Sequence, residues 1–459
     1  MPAPLLPVAP RHSADTAARI HDASQILTAG LEAVDPRAAV RAALRRRDES
    51  LDIGGAVFDL PELDRIFVVG GGKAAAAMTL GVLDVLDARV TGGIINVKDG
   101  HRGALHDPRI AVHEASHPWP DERGVTGTRS IAQLLEMTTA RDLVVVVISG
   151  GASALLELPP PGVSVEDLRA LTDALLRSGA AIDEINVVRK HVSDVKGGQL
   201  AGWAAPAKVL ALVLVDVVGA PLDVVASGPT VADPSTFADA VAVLRKYDVQ
   251  TQAPRSIVEH LARGAAGEIL ETAKPGDPRV DPDRVTTVVV GDVATACEAA
   301  SRRARELGYD TALMTTFLEG EAREVAKVVC SIAREVAEHG RPNRTPAAIL
   351  FGGETTVTVR GSGRGGRNQE LALASAIALR GRERTLVVSL ATDGSDGPTD
   401  AAGGLATGDS LEEGTRRGID AYARLADNDA YPFLHAVGDL VVTGPTGTNV
   451  CDLVLALVW

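Results

Sequence analysis

Aromatic residues and cysteines are both scarce in this 459-residue chain, and each scarcity excludes a class of function. Aromatic residues make up 3%, too few for the stacking platforms that hold single-stranded nucleic acid. The three cysteines, Cys297, Cys330 and Cys451, are far apart and form no CxxC pair. His113 and His117 lie four residues apart, but no carboxylate motif accompanies them. We therefore expect a reducing compartment, with neither a disulfide framework nor a zinc site.

Positive charge is also in deficit. Lys and Arg number 46 against 60 Asp and Glu, which gives a formal net charge of −14. A surface this acidic repels phosphate backbones and anionic membranes, so we expect no nucleic-acid partner and no membrane partner. An anionic substrate must then be held by a local cluster of positive groups.

Long hydrophobic runs are missing as well. The longest, such as 209–215, have about seven residues, whereas a membrane helix needs about 20. The first residues, MPAPLLPVAP, are rich in proline and contain no sustained apolar stretch, which argues against a signal peptide. These features predict a cytoplasmic protein that acts on small molecules.

What the chain does contain is a repeated short β-branched run that ends in glycine, serine or aspartate. Such runs occupy 66–69, 143–148, 209–215, 286–290, 347–350 and 386–391. Continuous apolar runs are typical of parallel strands covered on both faces. Segments with helical periodicity lie between them, for example 165–178, 319–339 and 368–379. This alternation predicts an α/β protein with doubly wound, mostly parallel sheets, whose ligands bind beyond the carboxyl ends of the strands.

The pattern breaks at 272–285, where prolines and charged residues are concentrated. We expect a larger, Rossmann-like N-terminal α/β domain over 1–275 and a smaller C-terminal α/β domain over 285–459. The helical segment 16–47 is free to pack on either of them. An active site shared by two domains is expected in the cleft between them.

The first candidate site is the glycine turn after the first run, with Gly71, Gly72 and Lys73. Glycines let the backbone approach an anion, and a lysine at a helix start adds positive charge. The turn also fits the GxGxxA pattern of dinucleotide-binding folds. However, the next strand ends with Asn96 and Lys98, where that fingerprint needs an acidic residue. The turn therefore favours a phosphate or a carboxylate over a dinucleotide.

Two further segments in the N-terminal half are candidates for binding anions. The segment after 143–148 offers glycines and hydroxyl groups, namely Ser149, Gly150, Gly151 and Ser153. A basic segment places three polar side chains at i, i+3 and i+4 of a predicted helix, namely Asn186, Arg189 and Lys190. A guanidinium on that face can hold a carboxylate through two parallel hydrogen bonds. The structural alternatives are a tight turn for the first segment and a solvated helix face for the second.

The stretch 352–373 combines Glu354 with a glycine-rich loop that carries Arg364 and Arg367. Asn368 and Gln369 then open a helix. Arginine and side-chain amides at a helix N-terminus favour an anion, because the helix dipole and free N–H groups add to the guanidinium. We therefore expect these residues to contact a nucleotide or an acidic substrate.

Carboxylates at strand ends complete the set of candidates. Asp393 and Asp396 follow the run 386–391, and Asp216 ends another run. Such groups suit Mg²⁺, another divalent metal, or a general base. We assign Asp393 and Asp396 to the metal and Asp393 also to catalysis, with Asp216 as a binding residue for the nucleotide or substrate and as a further candidate for the metal. A polar glycine loop near the C-terminus adds Thr448 and Asn449 as binding residues.

These motifs, taken together, resemble the class II glycerate 2-kinase family, whose C-terminal part is named for a leucine-rich multi-organism fragment. The resemblance rests on nine ordered segments: GGGKA at 70–74, HPWPDE at 117–122, ISGGASALL at 148–156, NVVRKHVSDVKGGQLA at 186–201, DVVGAPLDVVASGPTVADP at 216–234, LFGGETTV at 350–357, GRGGRNQELAL at 363–373, TDGSDGPTDAAGG at 392–404 and GPTGTNVCD at 444–452. Ala152 and Ala220 depart from the family pattern, which has a glycine- or serine-rich pattern at the first position and an acidic residue at the second.

The resemblance implies ATP-dependent phosphorylation of D-glycerate on its 2-hydroxyl, with Mg²⁺ or another divalent metal. It also implies Lys73 as the catalytic lysine and Arg367 as the key arginine, and a homodimer is compatible with it. Two alternatives stay open. An NAD(P)-dependent hydroxypyruvate reductase is disfavoured by the missing acidic residue after the second strand. A non-catalytic sensor of sugar acids or nucleotides is disfavoured by the carboxylates together with Lys73 and Arg367.

Overall fold

The structure is a computed structural model that describes residues 5–219 and 221–459. Ala220, one of the two departures from the family pattern, lies outside the described residues. Two compact units are present. The parallel-sheet unit comprises 36–215 and 221–290 among the described residues, and the mixed-sheet unit comprises 5–35, 216–219 and 291–459.

The strands and helices alternate along most of the chain. The strands are β1 (Arg45–Arg47), β2 (Ser50–Ile53), β3 (Ala56–Asp59), β4 (Arg65–Gly71), β5 (Val90–Lys98), β6 (Ile110–Ala115), β7 (Asp142–Ile148), β8 (Lys208–Leu214), β9 (Val285–Gly291), β10 (Asp310–Leu318), β11 (Ala347–Gly353), β12 (Thr385–Ala391), β13 (Gly403–Thr407), β14 (Leu440–Val441) and β15 (Asp452–Val458). The helices are α1 (Ala14–Ala33), α2 (Pro36–Ala43), α3 (Ala75–Leu86), α4 (Glu122–Leu135), α5 (Ala152–Leu155), α6 (Val165–Arg177), α7 (Ile182–Lys190), α8 (Gln199–Trp203), α9 (Phe237–Lys246), α10 (Arg255–Ala265), α11 (Val293–Glu306), α12 (Ala322–His339), α13 (Arg367–Ala378), α14 (Ser410–Arg416), α15 (Ala421–Ala426) and α16 (Ala430–Val437). The α/β class is confirmed, and each of the six predicted runs coincides with a strand, although β8 ends at Leu214, one residue before the run 209–215 does.

The parallel-sheet unit is built on a six-stranded sheet in the order β6-β5-β4-β7-β8-β9. The pairs β6–β5, β5–β4, β4–β7 and β7–β8 are parallel. Every residue of β7 is buried, which explains its unbroken apolar sequence. The first three strands form a separate small antiparallel sheet that the sequence did not predict. A second apolar core joins α6, α7, α9 and α10.

The mixed-sheet unit departs from the predicted mostly parallel arrangement. Its strand order is β10-β11-β15-β12-β13-β14, and only the β10–β11 pair is parallel among its described pairs. Every residue of β11, β12 and β15 is buried. Burial on both faces produces a continuous apolar run whichever way the strand points, so the pattern could not give the strand direction.

The N-terminal helical segment is divided between the units. Helix α1 packs on α11 in the mixed-sheet unit, where a Cβ on Gly30 would lie 3.1 Å from the Ala296 carbonyl oxygen. Helix α2 packs on α3 in the parallel-sheet unit, where a Cβ on Gly81 would lie 2.7 Å from the Arg37 carbonyl oxygen. The small residue at each crossing allows the helix backbones to approach closely. The ranges 1–275 and 285–459 as folding domains stay a prediction.

All three cysteines are free and buried. Burial raises the pKa of the Cys297 thiol to about 12, so this group stays protonated at neutral pH. None of the helices in the described ranges has both the length and the apolar character to cross a membrane.

A buried ion pair holds the N-terminal segment to the mixed-sheet unit. Arg11 Nη2 donates to Asp439 Oδ1 at 2.6 Å, and Arg11 Nη1 donates to the Val437 carbonyl oxygen. The hydroxyl of Ser410 donates to the other oxygen of Asp439 at 2.6 Å. Burial raises the pKa of Asp439 to about 6, and Arg11 opposes that rise. The fold therefore needs Arg11 to compensate a fully buried carboxylate.

Replacing Arg11 by methionine should lower the free energy of unfolding by about 3 kcal/mol at pH 8, because Asp439 then carries an uncompensated buried charge. The pKa of Asp439 is raised in the folded state, so its penalty is present at high pH and fades as the pH falls below that pKa. Urea unfolding at pH 8 and pH 5 measures this difference.

The control is Arg334→Met on α12, which removes an ion pair with Glu338 whose side chains are 57% and 41% exposed. This variant should lose less than about 1 kcal/mol at either pH. An equal loss for Arg11→Met at the two pH values would contradict the assignment to Asp439.

Candidate active site

The turn between β4 and α3 packs closely against the end of β7. Gly72 has a φ of +134°, and a Cβ there would lie 2.2 Å from Ser149 Oγ. The amide of Lys73 donates to the Gly150 carbonyl oxygen at 2.8 Å, and the amide of Ala74 donates to Ser149 Oγ at 3.0 Å. These two amides are therefore already bonded. The group that this turn offers to an anion is the Lys73 ammonium.

Gly71 and Ser153, two further predicted site residues, also have packing roles. A Cβ on Gly71 would lie 2.8 Å from Leu156 Cγ. The Ser153 hydroxyl lies 3.1 Å from the hydroxyl of Ser227, which is buried and has a positive φ of 60°. Ala152, which departs from the sequence pattern of the family, is buried at the start of α5.

Basic side chains gather at the carboxyl ends of β4, β5 and β6, and Lys73, Lys98, His101 and His117 are here called the cationic cluster. A Cβ on Gly151 would lie 2.9 Å from His117 Cδ2 and 3.5 Å from Lys73 Cγ. His101 Nδ1 lies 3.1 Å from the Lys73 carbonyl oxygen. Burial, together with the nearby charges of Lys73 and Lys98, lowers the pKa of His117 to about 4. A cluster of like charges that favours the neutral form of its own histidine is suited to an anionic ligand.

The sequence did not indicate His101, or a role for His117 in this cluster. Both residues follow the ends of strands, as the other candidates do, but the four-residue spacing of His113 and His117 is a pattern associated with zinc. Across the described ranges, no group of three or more His, Cys, Asp or Glu side chains is arranged to hold a metal ion.

The two basic neighbours on α7 have different surroundings. Lys190 is buried, and its Nζ donates to Asp223 Oδ2 at 2.7 Å and to Asp233 Oδ1 at 3.2 Å. Burial lowers the pKa of Arg189, and Glu157 opposes that effect. The guanidinium of Arg189 makes no hydrogen bond to any described residue. The ammonium of Lys190 is thus paired within the protein, whereas the donors of the Arg189 guanidinium are not used by the described chain.

A buried network lies beside Arg189. Lys196 is 1% exposed, and its Nζ donates to Glu157 Oε2 at 2.5 Å. The Ser193 hydroxyl donates to the other oxygen of Glu157 at 2.5 Å. Burial lowers the pKa of Lys196, and Glu157 opposes this. Asn186, the third predicted residue of the α7 face, is buried and makes no side-chain hydrogen bond to the described chain.

Removal of the Lys190 ammonium should therefore damage the fold. Lys190→Met leaves Asp233, which is fully buried, without its cation, and should cost about 3–5 kcal/mol of stability. Arg189→Met on the same helix removes no hydrogen bond within the described chain and should cost less than about 1 kcal/mol. Urea unfolding of both variants measures the difference. Equal stabilities would show that the two residues have the same role.

In the mixed-sheet unit, Arg367 lies among carboxylates. Its Nε and Nη2 donate to the two oxygens of Asp452 at 2.5 and 2.9 Å, and its Nη1 lies 2.9 Å from Glu354 Oε1. Burial opposes the charge of Arg367, but the pair with Asp452 outweighs it and raises the pKa of Arg367. Burial raises the pKa of Glu354; Arg367 opposes the rise, and Asp216 and Asp393 add to it. The two parallel hydrogen bonds to Asp452 fix the orientation of the Arg367 guanidinium.

Asp396 caps the helix that Arg367 opens. Its carboxylate accepts from the amides of Asn368 and Gln369 at 3.1 and 2.9 Å, and from Gln369 Nε2 at 3.1 Å. Burial raises the pKa of Asp396 to about 6. These bonds use both carboxylate oxygens, so the structure favours a capping role for Asp396 over the predicted role of metal ligand. Asn368 and Gln369 likewise hold the helix start rather than offering free amides.

The glycine-rich loop before α13 is bound by the protein itself. The amides of Arg360 and Gly361 donate to Asn428 Oδ1 at 2.7 and 3.1 Å. The guanidinium of Arg364 lies 4.0 Å from the centre of the Tyr431 ring. These contacts give a structural reason for the position of the loop and for one of the two arginines.

The remaining predicted residues lie at the C-terminal loop. Thr448 Oγ1 donates to the Val34 carbonyl oxygen at 2.6 Å, which ties the loop to the end of α1. Asn449 is half-buried and makes no side-chain hydrogen bond to a described residue. The Cys451 thiol lies 3.1 Å from the Asp216 carbonyl oxygen, which holds 216–219 in this unit. Of these residues, Asn449 is the one with a side chain left for a ligand.

The α/β fold places a cationic cluster at the strand ends of one unit and a fixed guanidinium among carboxylates in the other, and both features are suited to small anionic ligands. A family profile described as "Domain of unknown function (DUF4147)" matches residues 22–262, and one described as "MOFRL family" matches 347–452. The chain belongs to the class II glycerate 2-kinase family.

Two curated relatives support this membership. The chain is 43% identical to "Glycerate 2-kinase" of Pyrococcus horikoshii, over 93% of this chain and 94% of the relative. It is 42% identical to "D-glycerate 2-kinase" of Thermotoga maritima, over 95% of this chain and 97% of the relative. A solved glycerate kinase from Thermotoga maritima matches the fold with a TM-score of 0.85 and 41% identity, over 97% of this chain and 100% of that one.

Proposed function

We propose that this chain transfers the γ-phosphoryl group of ATP to the 2-hydroxyl of D-glycerate, which forms 2-phosphoglycerate and ADP. The observation that carries the proposal is the cationic cluster in an otherwise acidic chain, within a family whose relatives bear this name. Phosphoryl transfer depends mainly on positioning and on stabilising charge. A lysine ammonium with no partner among the described residues meets the second need.

Each remaining positive group has a separate part in this proposal. Lys73 stabilises the charge on the transferring phosphoryl group. Arg189 and Asn186 hold the carboxylate of glycerate, because neither side chain is bonded within the described chain. Arg367, oriented by Asp452, is the second catalytic cation. Glu354 and Asn449 serve as binding residues near it.

Mg²⁺ enters this proposal as part of the substrate MgATP, where it would offset the negative charge of the phosphates. The described residues contain no preformed set of three ligands, and Asp396 is used as a cap. Asp393 remains the candidate contact to the ion. Its Oδ1 accepts from the Ser395 amide at 2.9 Å, and its Oδ2 makes no hydrogen bond to the described chain. A cytoplasmic location and a homodimer also stay predictions.

The surroundings of Asn96 count against the reductase alternative. Asn96 lies in β5, where a dinucleotide fold would place an acidic residue for the ribose. Its Nδ2 donates to the Gly124 and Leu155 carbonyl oxygens at 2.9 and 2.7 Å, within the protein interior. This position therefore supports the packing of β5 and offers nothing to a nicotinamide cofactor.

The purified protein should form ADP from MgATP only when D-glycerate is present, and NMR should find the phosphate on the 2-hydroxyl. Lys73→Met should lower kcat by about 10²-fold, since about 3 kcal/mol of transition-state stabilisation is lost. Arg46→Ala, a change at an exposed residue of β1, is the control and should leave kcat unchanged. NADH oxidation with hydroxypyruvate at a comparable rate would refute the kinase proposal.

Substitution of Asp393 should affect activity, whereas substitution of Asp396 should affect stability. Asp393→Asn should lower kcat by about 10²-fold at an unchanged melting temperature, because an amide binds Mg²⁺ less well than a carboxylate does. Asp396→Asn should lower stability by about 1–2 kcal/mol through the loss of the helix cap. Steady-state kinetics and melting curves on both variants check this. Normal turnover by Asp393→Asn would remove Asp393 from the mechanism.

A further inference from the structure

His117 is a partly buried histidine whose side chain lies near Lys73, the proposed catalytic lysine. It follows β6 by two residues, and the absence of a side chain at Gly151 makes room for it. A Cβ on Gly151 would lie 3.0 Å from His117 Nε2 and 3.5 Å from Lys73 Cγ, so both side chains border the same space. Gly151 has a φ of +85°, which suits glycine and strains any other residue.

The ring nitrogens of His117 have no hydrogen-bond partner in the part of the chain that the structure describes. A buried structural histidine is ordinarily hydrogen-bonded to a carbonyl or a carboxylate, as His191 at the end of α7 is to the Val187 carbonyl oxygen at 2.8 Å. The carboxylate on its own segment, Asp121, is instead bound to the amides of Gly124 and Ser116 at 3.0 and 3.2 Å.

The charges that face His117 are positive. Lys73 faces it from the turn after β4, Lys98 from the end of β5, and His101 from the loop that follows. The β7–α5 turn contributes only glycine at this point. Burial and these groups lower the pKa of His117 to about 4, so the imidazole is neutral at pH 7. Its lone pair is therefore available beside Lys73, and a bound phosphate that offsets the two ammonium charges would raise its basicity.

We propose that His117 is the general base that accepts the proton of the attacking 2-hydroxyl of glycerate. This inference rests on the proposed function. The substrate oxygen forms a bond to the γ-phosphorus while the bond from that phosphorus to the β–γ bridging oxygen breaks and ADP leaves. The hydroxyl proton passes to a ring nitrogen of His117, and the imidazolium then releases it to water. Lys73 cannot take this proton, because an ammonium group has no lone pair.

His117→Gln tests the step directly, since glutamine keeps hydrogen-bonding groups but is not a base. Its kcat should fall by about 10²-fold or more, with the KM for ATP changed by less than about threefold. His113→Gln on β6 is the matched control and should keep the wild-type kcat. Melting curves verify that both variants are folded.

Chemical rescue provides a readout that a structural role would not change. Added imidazole should restore part of the kcat of His117→Ala, and among substituted imidazoles the rescue should rise with the pKa of the base. His113→Gln and Lys73→Met should show no such response.

The outcomes separate this step from the proposed function. If the wild type fails to phosphorylate D-glycerate, the proposed function and this step both fail. If the wild type is active and His117→Gln keeps its kcat within about threefold, the base is another group and this inference alone is overturned. A folded His117→Ala variant that loses activity but shows no rescue by any imidazole would also overturn it.

Discussion

The close approach of β4 and β7 is the constraint on which the candidate site depends. A Cβ on Gly70 would lie 2.0 Å from the Val147 carbonyl oxygen, and one on Gly72 would lie 2.2 Å from Ser149 Oγ. Glycine at these positions lets the two strand ends meet, and the amides beyond them bond across the gap. The same packing projects Lys73 from the turn and places Gly151 beside it. The glycines thus act through the backbone, and the chemistry belongs to the side chains they position.

Burial decides which charged groups remain for a ligand. Lys190 and Arg189 are adjacent on α7, yet the Lys190 ammonium is paired with Asp223 and Asp233, while the Arg189 guanidinium makes no hydrogen bond within the described chain. A buried carboxylate that loses its cation costs several kcal/mol, which is why such pairs are retained whether or not they take part in catalysis. Asp396 is also retained by its contacts with the fold, because its carboxylate oxygens accept hydrogen bonds from the first backbone amides of α13.

The distribution of charge in the chain fits a reaction between two anions. The chain is acidic overall, and the cationic cluster concentrates positive charge where a phosphate or a carboxylate would otherwise be repelled. Among the carboxylates of the mixed-sheet unit, Asp452 holds the Arg367 fork in one orientation. A pre-oriented cation costs little reorganisation when charge develops in the transition state, which is the main source of catalysis in phosphoryl transfer.

The sequence by itself determined the α/β class, the six strands that the apolar runs marked, the family and Lys73 as a cation at a strand end. These follow from local properties, since a run of β-branched residues and a glycine turn read the same in any context. Only the tertiary structure decided the strand directions of the mixed sheet, the division of the N-terminal helices and the separate roles of Lys190, Asp396 and Arg364. Each of these depends on partners that are distant along the chain, such as Asp223, whose carboxylate lies 33 positions from Lys190 in the sequence and 2.7 Å from its Nζ. His117 belongs with them, because its neutrality comes from lysines on two other strand ends and from the burial that the fold imposes.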